Sequence, residues 1–256
     1  ITNKKLNMLD IPFTLITVAI INLKNWLSNL FTRFTQTFIK YNSNIKMNEL
    51  IYFDFETTGL NPYHERIIEY AFLIDEEHGN ETYIQSLVNP QIKMDKKITD
   101  ITGIHPDMLE HEKPIKHHIQ KIYNFINGEY DITCMKMEKK YLVAHNALVF
   151  DRIFLLEELS KLKKSSNQKI TLDNIYFIDS LLLARKLIPG LYSYSIKSLA
   201  KHFNVSNGTH RALDDVLALK KIFEHLLVIL SNDLGIPIHE LKENPHIILS
   251  YYESYE

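Results

Sequence analysis

The chain has 256 residues, 45% of them apolar, enough for one ordinary domain with a sizeable core. Its single cysteine, Cys134, excludes an internal disulfide and a Cys-rich zinc site, and 12 histidines make any lone His uninformative. The net charge of −2 divides into +5 on residues 1–46 and −7 on the remainder. No basic footprint therefore announces a polyanion partner, and any such partner has to be argued from local residues.

Residues 1–46 read as an N-terminal extension. Ile11–Leu23 is mostly apolar but shorter than the ~20 residues a membrane span needs. Trp26, Leu27, Leu30, Phe31, Phe34 and Phe38 share one helical face, flanked by Lys24, Arg33 and Lys40. That pattern fits an amphipathic helix lying on a membrane or a partner. The blander reading is preferred: a poorly ordered extension, or sequence upstream of a start at Met47. No small-residue cleavage site follows the apolar run, so the chain is expected to be unsecreted, cytoplasmic or, in a eukaryote, nuclear.

From Met47 the pattern becomes regular. Leu50–Phe55 is an apolar run with aromatic and β-branched character, hence a buried strand. Thr57-Thr58-Gly59 and Asn61-Pro62 supply a turn. Ile67–Ile74 and Thr82–Val88 read as strands two and three, the three forming an antiparallel meander. Pro114 opens a helix carrying Ile115, Ile119, Ile122 and Ile126. Tyr141–His145 is strand four, Phe150–Leu162 a helix, Ile175–Ile178 strand five and Ser180–Leu187 a helix stopped by Pro189-Gly190. Ser195 caps a short helix with Ile196, Leu199 and Phe203, and a long helix bears Leu213 to Leu230. Residues 231–256 read as a tail or a loosely docked segment. Strands four and five each follow a helix and can run parallel to the first. The expected fold is an α/β mixed five-stranded sheet with helices on both faces. The basic loop Lys161–Asn174 reads first as a solvated surface and second as a phosphate contact.

Asp54 and Glu56 lie two apart on strand one, so both carboxylates face the same way. On a buried strand such a pair repels itself, and a divalent cation relieves that repulsion. Oxygen ligands favour Mg²⁺ or Mn²⁺. Alone, Asp-x-Glu is an ordinary edge pair. Asp151 sits at the positive end of the helix after strand four. His210 and Asp215 open the long helix. Periodicity pairs His210 with Asp214, four apart, and puts Asp215 about 140° away. Asp215 can meet His210 only if His210 lies in a loop before the helix. The spacing leaves Asp214 and Asp215 both open.

Asp54-Phe55-Glu56-Thr57-Thr58-Gly59-Leu60, His145-Asn146 with Asp151, and His210-x-Ala212-x-x-Asp215 together resemble the DEDDh exonucleases. That family includes DnaQ-like proofreading and three-prime repair exonucleases. Ile101-Thr102-Gly103-Ile104 and the run from Ile178-Asp179-Ser180 to Leu199 resemble its supporting motifs, so the likeness spans about residues 47–230. It implies a ribonuclease H-like exonuclease domain over 47–230. It implies 3′→5′ removal of nucleoside 5′-monophosphates with two Mg²⁺, Mn²⁺ substituting. The metal ligands would be Asp54, Glu56, Asp151 and Asp215, with His210 as general base, a role that suits imidazole. The resemblance, not periodicity, favours Asp215 over Asp214. It places Leu60 and Ile104 against the terminal base and Thr57 and Phe150 against the terminal nucleotide. His145 is shared between substrate contact and a strand-end structural role. The partner is a nucleic acid with a free 3′ end, DNA preferred and RNA the rival, with a DNA polymerase as a candidate associate. The rival of another class is a non-catalytic nucleic-acid-binding or polymerase-tethering module. The longer spacing from His145 to Asp151 matches the repair form, whose proline-rich insert is not visible.

Overall fold

The structure is a computed structural model that describes residues 50–75, 81–128, 139–166 and 170–253. The expectations for residues 1–46, Cys134 and residues 167–169 of the basic loop lie outside the described residues. Among the described residues, five strands form one sheet: β1 (Leu50–Thr57), β2 (Ile67–Asp75), β3 (Glu81–Leu87), β4 (Lys140–Ala144) and β5 (Ile175–Asp179), in the order β3-β2-β1-β4-β5. β1 pairs antiparallel with β2 and parallel with β4, and β5 continues the parallel side. The expected mixed sheet is therefore the observed one.

β1 is central and covered on both faces, which explains its unbroken apolar run. The alternation of its side chains sorts the core. Leu50 and Tyr52 join one apolar cluster, Ile51, Phe53 and Phe55 another. The helices are α1 (Lys96–Thr102), α2 (Pro106–Leu109), α3 (Ile119–Ile126), α4 (Asp151–Ser165), α5 (Ser180–Leu187), α6 (Ile196–Phe203), α7 (Ala212–Leu234), α8 (Ile238–Glu243) and α9 (His246–Glu253). α3 and α4 pack with Ile51 and Phe53, whereas α5, α6 and α7 pack with Leu50 and Tyr52.

Element ends shift by one to three residues, and three larger features differ from the sequence reading. Pro114 is followed by a 3-10 turn, Ile115–His117, and α3 begins only at Ile119. α1 and α2 were not anticipated, because their few apolar residues make no helical period. Asp95 caps α1 by accepting from Lys97 N at 2.9 Å, and Gly103 ends it at φ 68°, a left-handed value that favours glycine. The third is a correction. Residues 231–253 are not a loose tail: α7 runs on to Leu234, and Leu241, Ile248 and Tyr252 are buried in the cluster beneath α5 and α7. The Tyr252 hydroxyl also accepts a bond from Asp179 N at 3.1 Å, tying α9 to the end of β5. Among the described residues no helix is long and apolar enough to cross a membrane.

If α9 is part of the core, Ile248→Ala lowers the unfolding free energy by roughly 2–5 kcal/mol in a urea titration. A loss within about 0.5 kcal/mol, the range of surface sites, would return the segment to a tail.

Candidate functional site

The carboxyl ends of β1, β4 and β5 lie side by side, and the chemistry-bearing residues gather there. β1 supplies Asp54 and Glu56 on the face that looks toward α7. A register shift between Glu56 and Thr57 ends the regular pairing with β2 just beyond them. Thr58 Oγ1 then donates to Glu65 Oε2 at 2.5 Å and accepts from Arg66 N at 2.9 Å, which pins the following loop.

Asp215 comes from the first turn of α7, where acids favour the helix dipole. His210 lies before the helix, with a left-handed φ of 60°. That loop conformation lets His210 and Asp215 meet although they are five residues apart. One ligand atom each from Glu56, His210 and Asp215 lie within 4.8 Å of one another. Asp214 is exposed instead and accepts from Thr209 Oγ1 at 2.5 Å. The choice that periodicity left open thus has a geometric answer: Asp215 turns in and Asp214 out. Gly208 makes this packing feasible, since a Cβ there would fall 1.6 Å from Asp215 Oδ1.

Asp151, at the start of α4, is buried, and its Oδ1 accepts from Phe55 N at 3.3 Å. Asp54 is its foremost charged neighbour. Burial, then Asp215 and Glu69, pushes Asp54 up to about 8. Burial, then Asp54, Asp215 and Glu69, pushes Glu56 to about 9, with Arg211 pulling the other way. Burial and then Asp54 hold Asp151 well above the usual carboxylate range, while its backbone hydrogen bonds pull down. Burial also raises Asp215, and His210 opposes that rise. So many acids kept reluctant to ionise are a site that a cation would stabilise. Asp54, Glu56, Asp151 and Asp215 supply hard oxygen donors, so the residues fit a divalent ion of the Mg²⁺ or Mn²⁺ type.

Glu69 and Arg211 were missed from the sequence. Glu69 lies directly opposite Glu56 across β1 and β2 and is buried. It accepts from Arg211 Nη2 at 2.7 Å, from Arg211 Nε at 3.0 Å and from Ala212 N at 3.0 Å. The pair bolts the start of α7 onto the sheet, between His210 and Asp215. The available signal was one acid in the otherwise apolar run Ile67–Ile74, which demands a partner. Asp179 caps α5 through Leu181 N at 2.9 Å. It also accepts from Asn146 N at 3.2 Å and Leu148 N at 3.1 Å, holding the loop that leads to Asp151.

The substrate-side residues divide. Leu60 is 82% exposed at the rim, and Phe150 is half-buried, edge-on to Phe154. Thr57 is buried, its hydroxyl donating to Gly59 O at 2.6 Å. Ile104 requires correction. It has no exposed surface and packs with Ile68, Met94 and Leu109, so it presents nothing to a base; the exposed apolar residue nearby is Ile101, in α1. His145 Nδ1 is 2.9 Å from Ser180 Oγ, and the ring also reaches the Tyr194 backbone. Those contacts fit a strand-end structural role.

A sequence model of the family described as "Exonuclease", of RNase T type, matches residues 51–223. The chain belongs to this exonuclease family, in its DEDDh, DnaQ-like form, a family of nucleases that use divalent metals. It is 34% identical over 181 residues to "DNA polymerase III PolC-type" of Caldanaerobacter subterraneus subsp. tengcongensis, covering 70% of this chain and 12% of that protein. It is 33% identical over 201 residues to "Exonuclease DPD1, chloroplastic/mitochondrial" of Arabidopsis thaliana, covering 74% and 60%. The chain therefore spans only part of either relative. In fold it is similar to the zinc-ion-bound form of the E. coli ExoI–ssDNA complex, with a TM-score of 0.56 at 16% identity over 76% of this chain and 42% of that one. The sheet order and these likenesses define a ribonuclease H-like fold.

Two outcomes follow from the site. The folded chain holds the protons of Asp54 and Glu56 to about pH 8 and 9, against ordinary values of 3.8 and 4.5. Folding thus binds protons, and stability falls as pH rises through that window. In chelator, the melting temperature should drop from about pH 5 to pH 9, less steeply in Asp54→Asn, and Mg²⁺ should raise it most at the alkaline end. A melting temperature that climbs with pH would contradict the assignment. Glu69→Gln, which weakens charged hydrogen bonds, should cost about 1–3 kcal/mol in the same melts at fixed pH.

Proposed function

We propose that this chain is a 3′→5′ exonuclease that releases nucleoside 5′-monophosphates one at a time from the 3′ end of DNA. The observation that carries the reading is the convergence of Glu56, His210 and Asp215 within 4.8 Å, beside Asp54 and Asp151. Asp54, Glu56, Asp151 and Asp215 would hold two Mg²⁺ ions. Bound there, the ions supply charge for the scissile phosphate and lower the pKa of water. His210 stands exposed at the mouth and would take the proton of the attacking water. Its exposure leaves the ring free to approach a water that arrives with substrate. Leu60 at the rim offers an apolar face for the terminal base, with Phe150 and the Thr57 backbone beside it. The names of the relatives, a DNA polymerase III and an exonuclease, support DNA as the polymer and proofreading or repair as the setting. We place the exonuclease domain at residues 47–253, with 1–46 as an extension.

End-labelled single-stranded DNA, duplex DNA and RNA, incubated with Mg²⁺, give the test. Single nucleotides should leave the 3′ end of DNA. Asp54→Ala should abolish their release, and His210→Ala should slow it by about 10²–10⁴-fold. Equal activity in Asp54→Ala, or none in the wild type, sinks the reading, and cleavage of RNA alone replaces the substrate.

A further inference from the structure

In a chain of net charge −2, the stretch from Ser180 to Leu213 stands apart: it carries Arg185, Lys186, Lys197, Lys201 and Arg211 and no Asp or Glu. It comprises α5, α6 and the loop that brings His210 to the site. Two of its cations are engaged. Lys186 bonds the Tyr251 carbonyl and lies over the Tyr251 ring, and Arg211 holds Glu69. Arg185, Lys197 and Lys201 are exposed. Lys197 and Lys201 are four apart on α6 and share its outer edge. By contrast, Lys161 in the more obvious basic segment is occupied by Glu158 at 2.7 Å and Glu157 at 3.6 Å.

The turn between α5 and α6 is tightly knit. The Tyr194 hydroxyl donates to Ile188 O at 2.7 Å and accepts from Leu191 N at 3.1 Å. The Arg185 guanidinium lies 6.0 Å from the centre of the Tyr194 ring. On this fixed turn Tyr192 is 106% exposed, its ring presented wholly to solvent. The Tyr194 backbone meets His145 at the carboxyl end of β4, the strand beside β1. The other end of α6 leads through Asn204 into the His210 loop. Both ends of α6 are thus tied to the rim of the acidic site.

An acidic site repels a polyanion, and cations along the approach offset that repulsion. A rigidly mounted aromatic face gives any base a stacking surface. We propose that Tyr192, Arg185, Lys197 and Lys201 form the track for the single-stranded polynucleotide behind its 3′ end. The cations hold backbone phosphates and Tyr192 stacks on an upstream base. This assignment rests on the exonuclease reading for its direction, but its binding test does not.

The test compares wild type with Tyr192→Ala and with a triple variant, Arg185→Ala, Lys197→Ala, Lys201→Ala. Two substrates are used: a 20-nucleotide single strand, and the p-nitrophenyl ester of thymidine 5′-monophosphate, which has no upstream chain. Each variant should raise KM for the strand by about tenfold or more. The triple variant should flatten the salt dependence of affinity by about two log-log units. Turnover of the ester should stay at the wild-type level. Fluorescence anisotropy of a labelled strand in Ca²⁺ gives the same comparison without catalysis. Unchanged KM and unchanged anisotropy overturn the track. Equal losses on strand and ester overturn it too, since they place the effect in the site itself. If the wild type hydrolyses neither substrate, the exonuclease reading falls, while the anisotropy series still decides the track.

Discussion

Asp54, Glu56, Asp151 and Asp215 are drawn from three separate stretches of chain to the carboxyl end of β1, where burial and then neighbouring carboxylates make each of them harder to ionise. Burial alone would favour their protonated forms, and mutual repulsion adds to it. The register of β1 and β2 then sets a fifth carboxylate, Glu69, directly opposite Glu56. Much of the local structure counters this crowding. Phe55 N donates to Asp151, Arg211 takes Glu69 through a forked contact, and Ala212 N turns the helix end toward the same carboxylate. The His210 loop passes so close to Asp215 that a side chain at position 208 would displace its carboxylate. The arrangement is a frame built to hold charge that it does not itself neutralise, which is the property a divalent cation site requires.

The sequence disclosed the sheet more fully than the site. A central strand buried on both faces has to be apolar throughout, so Leu50–Phe55 was readable, and the parity of Asp54 and Glu56 followed from the strand alone. Helix periodicity was weaker at the edges. α1 and α2 are short and capped by polar residues, and α9 has too few turns to show a stripe. Asp215 was the hardest to place. A period of 3.6 favours Asp214, and only the left-handed backbone at His210 reverses that preference. Histidine is enriched among left-handed non-glycine residues, but too weakly to foretell this one, and the family resemblance supplied what spacing could not. Resemblance misled at Ile104, because likeness in a motif says nothing of whether a side chain faces a neighbour or solvent. Glu69 was legible in principle: an isolated acid inside an apolar strand needs a partner. The partner, 142 residues away in sequence, was not.

The topology explains why these parts meet at one end. β1 is where the sheet changes character, with antiparallel β2 on one side and parallel β4 on the other. The parallel strands β1, β4 and β5 deliver their following segments to the same end, and open α/β sheets form their crevices there. Asp179 shows how tightly those segments are coupled. One carboxylate caps α5 and holds the loop before Asp151, while its backbone N–H reaches Tyr252 of α9. Damage at the C-terminal helix therefore has a short route to the site, through Tyr252, the end of β5 and the loop on Asp179.

The charge distribution completes the argument. The acids that would hold metal are concentrated on β1, α4 and the first turn of α7, whereas Ser180 to Leu213 contains none. A whole-chain charge near zero conceals that separation, which is why composition gave no hint of a polyanion. An acidic centre beside a cationic rim attracts a phosphate chain to the edge and accepts it at the centre only when cations are bound. On the proposed reading, binding and hydrolysis would respond differently to metal: the rim would act without it and the centre would not. The cations of α6 would then hold the strand, while Asp54, Glu56, Asp151 and Asp215 would hold the ions that offset the charge of its terminal phosphate.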